Sequence, residues 1–163
     1  MLRSIAILAS LTILVLQLGC SGAGSSTSSG NTYRESLGST SRAQIFKTTD
    51  DILVRKFQYQ FERQQDSSED VYIETRWRDQ VALEDEQAQG YAFVRTRIIL
   101  SARPRNRTPG AMQSYSVTFR SECMVRQHGG DWVKMPMTAM RKAQLREIAQ
   151  EMKTDMTSGV RVI

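Results

Sequence analysis

The chain of 163 residues is poor in the side chains that most often carry metal or nucleophilic chemistry. It has a single histidine, His128, and two cysteines, Cys20 and Cys123. These are too few for a zinc site, which needs three or four protein ligands, and Cys123 alone offers no disulfide framework. His128 stands in a His-Gly-Gly turn, which is a poor place for the base of a catalytic triad.

Motifs of other common chemistries are missing as well. The chain has no glycine-rich phosphate loop and no Gly-x-Ser-x-Gly nucleophile elbow. The run Glu84-Asp85-Glu86 lacks the alternating ligands and the glycine of a calcium loop, which favours a solvated acidic loop. The sequence therefore predicts no enzyme, no metal site and no cofactor. A glycosidase-type pair of carboxylates stays open, because the distance between its members is set by the fold and cannot be read from the sequence.

Long apolar runs are scarce too, and the longest covers residues 4–18, near the N terminus. It is shorter than the roughly twenty residues that a membrane-spanning helix needs. A basic residue, Arg3, precedes it, and the small residue Gly19 and then Cys20 close it. This order is typical of a secretory signal peptide. The Ser/Gly-rich stretch after Cys20 is typical of a flexible tether.

A signal that ends in Gly19-Cys20 and continues into a tether resembles the start of a bacterial lipoprotein. Gln17 and Leu18 depart from the usual residues at the two positions before Gly19. The resemblance implies that Cys20 becomes the first mature residue and carries acyl chains such as palmitate, which hold a protein on a membrane without a spanning helix. Ser21 favours the outer membrane, facing the periplasm. The alternative is an ordinary signal peptide cut near Gly19 or Ala23.

Three segments are predicted on this basis. Residues 1–19 form the signal peptide, residues 20–41 the tether, and residues 42–163 one α+β domain. The formal charge is +5, with 17 arginines against 5 lysines. Since export excludes nucleic acid as the partner, the anions to consider are lipid headgroups, glycans and acidic protein surfaces. The alternative is a basic surface that is merely solvated.

The apolar spacing predicts the order α-β-β-β-β-α, with both helices on one face of an antiparallel sheet. Alternating residues indicate four strands, and a fifth is possible over residues 132–135. The predicted elements are a helix over 42–56, strands over 57–62, 71–78, 91–103 and 113–127, and a helix over 139–157.

The pattern also assigns side chains to faces. Trp77 is expected in the core with Val71, Ile73 and Thr75, and Cys123 is expected to be a buried structural thiol. In the last helix, Arg141 is expected to face solvent. The apolar stripe of that helix is expected to cover the sheet, with a replaceable ligand or partner helix as the alternative. The stripe consists of Met140, Leu145, Ile148, Ala149, Met152 and Met156.

Two groups of arginines are candidate binding sites for an anion or a protein partner. The first is the open face of the sheet, where neutralisation by Glu74 and Glu122 is the alternative interpretation. Its members are Arg76, Arg78, Arg95, Arg97, Arg120 and Arg126. The second is a proline-flanked loop, for which a solubilising role is the alternative. Its members are Arg103, Arg105 and Arg107.

The chain resembles the accessory lipoproteins of the outer-membrane β-barrel assembly machinery, with their helix-grip-like modules. The resemblance lies in the signal, the tether, the small domain and the strand Tyr72-Ile73-Glu74-Thr75-Arg76-Trp77. A lipopolysaccharide-export lipoprotein is similar at the same coarse level. The resemblance implies a lipid-anchored, non-enzymatic module that binds or assembles a protein partner or an anionic lipid or glycan. The alternative is a periplasmic carrier of lipid or a small ligand, with a pocket between the last helix and the sheet.

Overall fold

The computed structural model describes residues 27–67, 69–105 and 113–158. The predicted signal peptide, Cys20 and Arg107 lie outside these residues, so their roles stay predictions. In the described part, no helix is both long and apolar enough to cross a membrane.

The fold is a single antiparallel sheet with helices packed on it, which confirms the predicted α+β class. Six strands follow the order β1-β2-β7-β6-β4-β3, and β5 also pairs with β6. The sheet therefore has seven strands, more than the four or five predicted. The strands are β1 Thr27–Ser29, β2 Thr32–Thr40, β3 Phe61–Asp66, β4 Val71–Thr75, β5 Arg78–Val81, β6 Phe93–Pro104 and β7 Tyr115–Arg126. The helices are α1 Arg42–Thr48, which continues as a π-helix over Thr49–Lys56, α2 Glu84–Gln87 and α3 Ala139–Ser158.

Strand β2 corrects the predicted tether and the predicted N-terminal helix. Residues 32–40 pair along β7, with Tyr33 and Leu37 buried on the inward side. Glu35 also points inward, where it accepts hydrogen bonds from Tyr33 and from Gln150 of α3. Tyr33, Leu37 and the hydrogen-bonded Glu35 anchor this strand on its inward side. The other residues of this segment are small or polar, so the sequence shows no clear apolar alternation. The segment 42–56 is helical, but it comes after two strands.

Helix α3 covers the inward face of the sheet, as its spacing predicts. The Thr138 hydroxyl caps it by accepting a hydrogen bond from the Arg141 backbone N–H at 3.3 Å. Leu145, Ile148 and Met152 of the stripe are buried, whereas Met140 at its start is 42% exposed. The stripe therefore packs from its second member onward.

The inward apolar residues of β7 belong to the same core cluster as the buried residues of this helix. The predicted alternation is confirmed, because every predicted inward residue is buried. These are Tyr115, Val117, Phe119, Ser121, Cys123 and Val125. Burial raises the pKa of the Cys123 thiol to about 12, which agrees with a structural role.

Two predicted strands differ from the structure: the one predicted over residues 57–62 is displaced to Phe61–Asp66, and the possible fifth strand does not form. The first begins only at Phe61, because residues 57–60 leave the π-helix through an irregular path. In that path Gln58 has a φ of 55°, and the Tyr59 N–H donates to the Leu53 carbonyl at 2.8 Å. The second, at residues 132–135, makes only an isolated bridge between Val133 and Val125.

An ion pair at the start of α3 overturns two further predictions. Arg141 is fully buried, whereas the spacing of the helix predicts that it faces solvent. Glu86 belongs to the short helix α2 and is 1% exposed, whereas the run Glu84-Asp85-Glu86 is interpreted from the sequence as a solvated acidic loop. The Arg141 guanidinium donates from Nε and Nη2 to the two Glu86 oxygens at 2.9 and 2.7 Å. It also donates to the Gln80 and Gln144 side chains. The paired geometry makes burial of both charges possible.

Candidate binding surface

The outer face of β6 and β7 collects four of the predicted arginines. In the register of this pair, Arg126 lies opposite Phe93, Arg95 opposite Met124, and Arg97 opposite Glu122, with Arg120 one step further. Their side chains lie on the sheet face opposite the buried inward set. The helices cover the inward face, so these arginines form the open face that the alternation predicts.

A bulge between β4 and β5 moves Trp77 onto this face and corrects the prediction that it lies in the core. Glu74 pairs with Ile99, and Arg78 pairs with Thr96, so one extra residue lies on the β4–β5 side. Thr75 remains buried, and its hydroxyl accepts the Ile98 N–H at 2.9 Å. After the bulge the alternation is reversed, because the side-chain period of a strand is two.

The same bulge separates Arg76 and Arg78 from the other arginines. Arg78 turns to the opposite side, where its guanidinium lies 5.3 Å from the centre of the Tyr59 ring. Arg76 is exposed at the break between the strands, and its backbone N–H donates to the Gln60 carbonyl at 2.7 Å. The prediction that both share the open face with Glu74 is therefore wrong for Arg78.

The open face carries an alternating row of aromatic rings and guanidinium groups, called here the guanidinium–aromatic stack. Its members in order are Phe93, Arg126, Trp132, Arg95, Trp77 and Arg97. Each guanidinium carbon lies 4.7 to 5.0 Å from the centre of a neighbouring ring. Guanidinium groups over an indole face are attracted by the ring quadrupole, at about 0.5–2 kcal/mol per contact. The stack therefore holds three long side chains in place before any ligand arrives.

One end of the stack is electrically neutralised. Arg97 contacts Glu74 at 2.5 Å and Glu122 at 2.8 Å, and Arg120 also pairs with Glu122. Burial lowers the pKa of Arg97, but the hydrogen bond and charge of Glu122 outweigh it and leave this pKa above the ordinary value. Burial raises the pKa of Glu122, and the hydrogen bonds from Arg97 and Arg120 bring it below the ordinary value. This end is consistent with the neutralisation that the sequence also suggested.

The other end of the stack keeps its charge. Among the described residues, Arg95 and Arg126 form no ion pair, although Asp79 lies opposite Arg95 in the register. The Nε atoms of both arginines are buried without a hydrogen-bond acceptor in that part of the chain. An Nη atom of Arg95 contacts the Met124 sulfur at 3.1 Å. Two positive groups with unused donors thus lie around Trp132.

The remaining candidates lie apart from the stack. Arg103 is exposed at the end of β6, and Arg105 comes just after that strand and donates to the Ser39 hydroxyl at 3.1 Å. Arg107, the third loop candidate, falls outside the described residues. In the described residues, neither Arg103 nor Arg105 therefore belongs to the stack.

Two members of the stack were not among the predicted site residues, although the alternation that places Arg95 and Arg97 on the outer face places Phe93 there as well. Phe93 begins β6 and lies on the outer face opposite Arg126. Trp132 belongs to the segment after β7 that turns back at Gly129, whose φ is 71°. The sequence showed the turn, but the strand onto which the returning chain packs depends on tertiary contacts. Arg34, assigned to the tether, also lies opposite Arg120.

The groups on this surface are of the kinds that make recognition contacts. Guanidinium groups donate to carboxylates and phosphates, and aromatic rings supply rigid contact area. Within the described ranges, no three His, Cys, Asp or Glu side chains are grouped as metal ligands. Compared with protein-family models the chain matches none, and a search of curated proteins finds no match.

Proposed function

We propose that this protein is a non-enzymatic, lipid-anchored binding module of the cell envelope, held at the periplasmic side of the outer membrane by acyl chains on Cys20. Its open sheet face binds a protein partner or another anionic envelope component. The observation that carries this proposal is the charged end of the stack, where Arg95 and Arg126 lie against Trp132 without a carboxylate partner in the described residues.

The stack suits binding because its arginines are already ordered. An arginine side chain has about 2 kcal/mol of rotamer entropy to lose. Packing against Trp77, Trp132 and Phe93 has fixed much of it in the folded protein. A partner that docks on this surface therefore loses less free energy to ordering than it would on solvated arginines. Tryptophan and arginine are also the residues that most often dominate binding energy at interfaces.

The packing of α3 favours this function over the carrier. Leu145, Ile148, Ala149, Met152 and Met156 are each at most 3% exposed, and they pack in one core cluster with the inward residues of the sheet. A carrier would need a cavity at this contact to enclose its ligand. In the described residues, the chain's own buried side chains occupy this contact, which favours a packed core over a ligand cavity.

The experiment is affinity purification of the tagged full chain from its native membrane fraction, with mass spectrometry of the mature N terminus. We expect an acylated Cys20 and a reproducible envelope partner. The double variant Arg95→Ser/Arg126→Ser should lose the partner. The matched variant Arg103→Ser/Arg105→Ser, which removes the same number of charges, should keep it.

Two results would contradict the proposal in different ways. Loss of the partner in the loop variant alone would move the binding surface to the arginine loop. An unmodified, freely soluble chain without any partner would reject the anchored module as a whole.

A further inference from the structure

A depression of about 460 Å³ opens at the charged end of the stack. Phe93 forms one wall of it and also contacts the Arg126 guanidinium, so the depression and the stack share a side chain. Val81, Tyr91 and His128 form further walls, and His128 packs edge-to-face on Phe93. The volume lies within the range of about 300–1,000 Å³ that is common for ligand pockets.

The depression exposes apolar surface. Val81 pairs in register with Phe93 and is 68% exposed, which makes it the most exposed large apolar side chain of the described residues. An exposed valine beside an aromatic ring is a place where an apolar side chain of a partner would remove surface from water. Phe93 joins this apolar surface to the Arg126 guanidinium, and Trp132 joins Arg126 to Arg95.

The charges around the stack limit what can bind there. Glu74 and Glu122 neutralise Arg97, and Glu122 also pairs with Arg120, so within the stack the positive charge that has no ion pair in the described residues is concentrated at Arg95 and Arg126. A flat anionic bilayer or a long polyanion would meet the two carboxylates as well as the arginines. A short acidic segment with one apolar side chain matches the concentrated charge and the depression together.

We propose that the Phe93 depression and the charged end of the stack bind an acidic segment of a partner protein. An apolar side chain of that segment occupies the depression against Val81 and Phe93, and its carboxylates accept hydrogen bonds from Arg126 and Arg95. This inference rests on the proposed function of the open face and names the partner of that face.

The test uses a synthetic peptide array and the purified full chain. In one set, a single leucine is moved through every position of an Asp/Glu peptide. In the second set serine replaces the leucine, and in the third lysine replaces the acidic residues. We expect the first set to bind, the second to bind at least about tenfold more weakly, as loss of one buried apolar anchor implies, and the third not to bind.

Two single variants locate the site. Val81→Ser, at a position whose side chain is exposed, should abolish the difference between the leucine and serine peptides. Val133→Ser, at another exposed valine, is its control and should leave the difference unchanged. Arg126→Ser should weaken both acidic sets by about tenfold, whereas Arg103→Ser should not.

The opposing outcomes separate this inference from the proposed function. If vesicles of phosphatidylglycerol bind through Arg126 while no acidic peptide does, the peptide inference is rejected and the open face remains a binding surface. If Arg126→Ser weakens peptide binding but Val81→Ser does not change it, the depression plays no part. If neither peptides nor vesicles respond to Arg126→Ser, both the inference and the proposed open-face site are rejected.

Discussion

At the scale of single residues, the pair of Arg141 and Glu86 is the most buried ion pair of the described residues. Removing one member leaves the other as an uncompensated buried charge, which costs about 3–5 kcal/mol. We therefore expect Arg141→Met to lower the free energy of unfolding by that amount in urea denaturation. The double variant Arg141→Met/Glu86→Leu should recover a large part of the loss, because neither charge then remains buried.

Glu147→Gln, at an exposed position on the same helix, is the control for this pair and should change the unfolding free energy little. A result in which Arg141→Met is as mild as this control would mean that Glu86 does not depend on Arg141.

Cys123 links stability to alkaline pH. Burial raises the pKa of its thiol to about 12 in the folded protein, whereas an unfolded thiol titrates near 8.5. As pH rises through that unfolded value, the unfolded chain loses the proton first, so the free energy of unfolding falls. We expect the decline between about pH 8 and 10, measured by urea denaturation, to be steeper in the native chain than in Cys123→Ala. Equal slopes would mean that this thiol ionises normally in the fold.

At the scale of elements, the bulge between β4 and β5 decides which face carries Trp77. Its inner side is held by the Thr75 hydroxyl, which accepts the Ile98 N–H. In Thr75→Val, a side chain of nearly the same shape would leave that buried donor unpaired, at a cost of about 1–3 kcal/mol. Thr118→Val on the outer face of β7 is the matched control. Chemical denaturation of the two variants measures the difference, and an equal effect in both would show that the bulge does not need this hydrogen bond.

At the scale of the whole molecule, the two cysteines should behave in opposite ways. Cys20→Ser removes the proposed acylation site, so the mature protein should move from the detergent phase to the aqueous phase in detergent partitioning. Cys123→Ala should stay in the detergent phase, because Cys123 is buried in the core. A native chain that is already in the aqueous phase would contradict the anchor.

The sequence predicts those structural features that a local residue pattern determines. It does not predict those that depend on contacts between residues far apart in the chain. The long alternation of β7 and the periodicity of α3 are local, and both were predicted closely. The sequence does not predict strand β2, because one of its inward positions is the carboxylate Glu35. Only the fold shows that Tyr33 and Gln150 donate hydrogen bonds to that carboxylate. Arg141 looked like a solvent-facing residue because its partner, Glu86, is distant in the chain.

The candidate surface shows the same division. Strand alternation was enough to place Arg95, Arg97, Arg120 and Arg126 on one face. A one-residue bulge reversed the assignments of Trp77 and Arg78, since any insertion in a strand exchanges the two faces for all later residues of that strand. Trp132 reaches the stack only through the path of the chain after β7, for which no strand period applies.

The chain has two tryptophans, and both belong to the guanidinium–aromatic stack. Its intrinsic tryptophan emission therefore comes entirely from the surface to which we assign binding. A partner that excludes water from Trp132 should shift that emission to shorter wavelength, and Trp77→Phe would leave Trp132 as the single reporter. The unlabelled protein thus carries its own optical probe of occupancy, so a titration can be followed without attaching any dye to the surface under test.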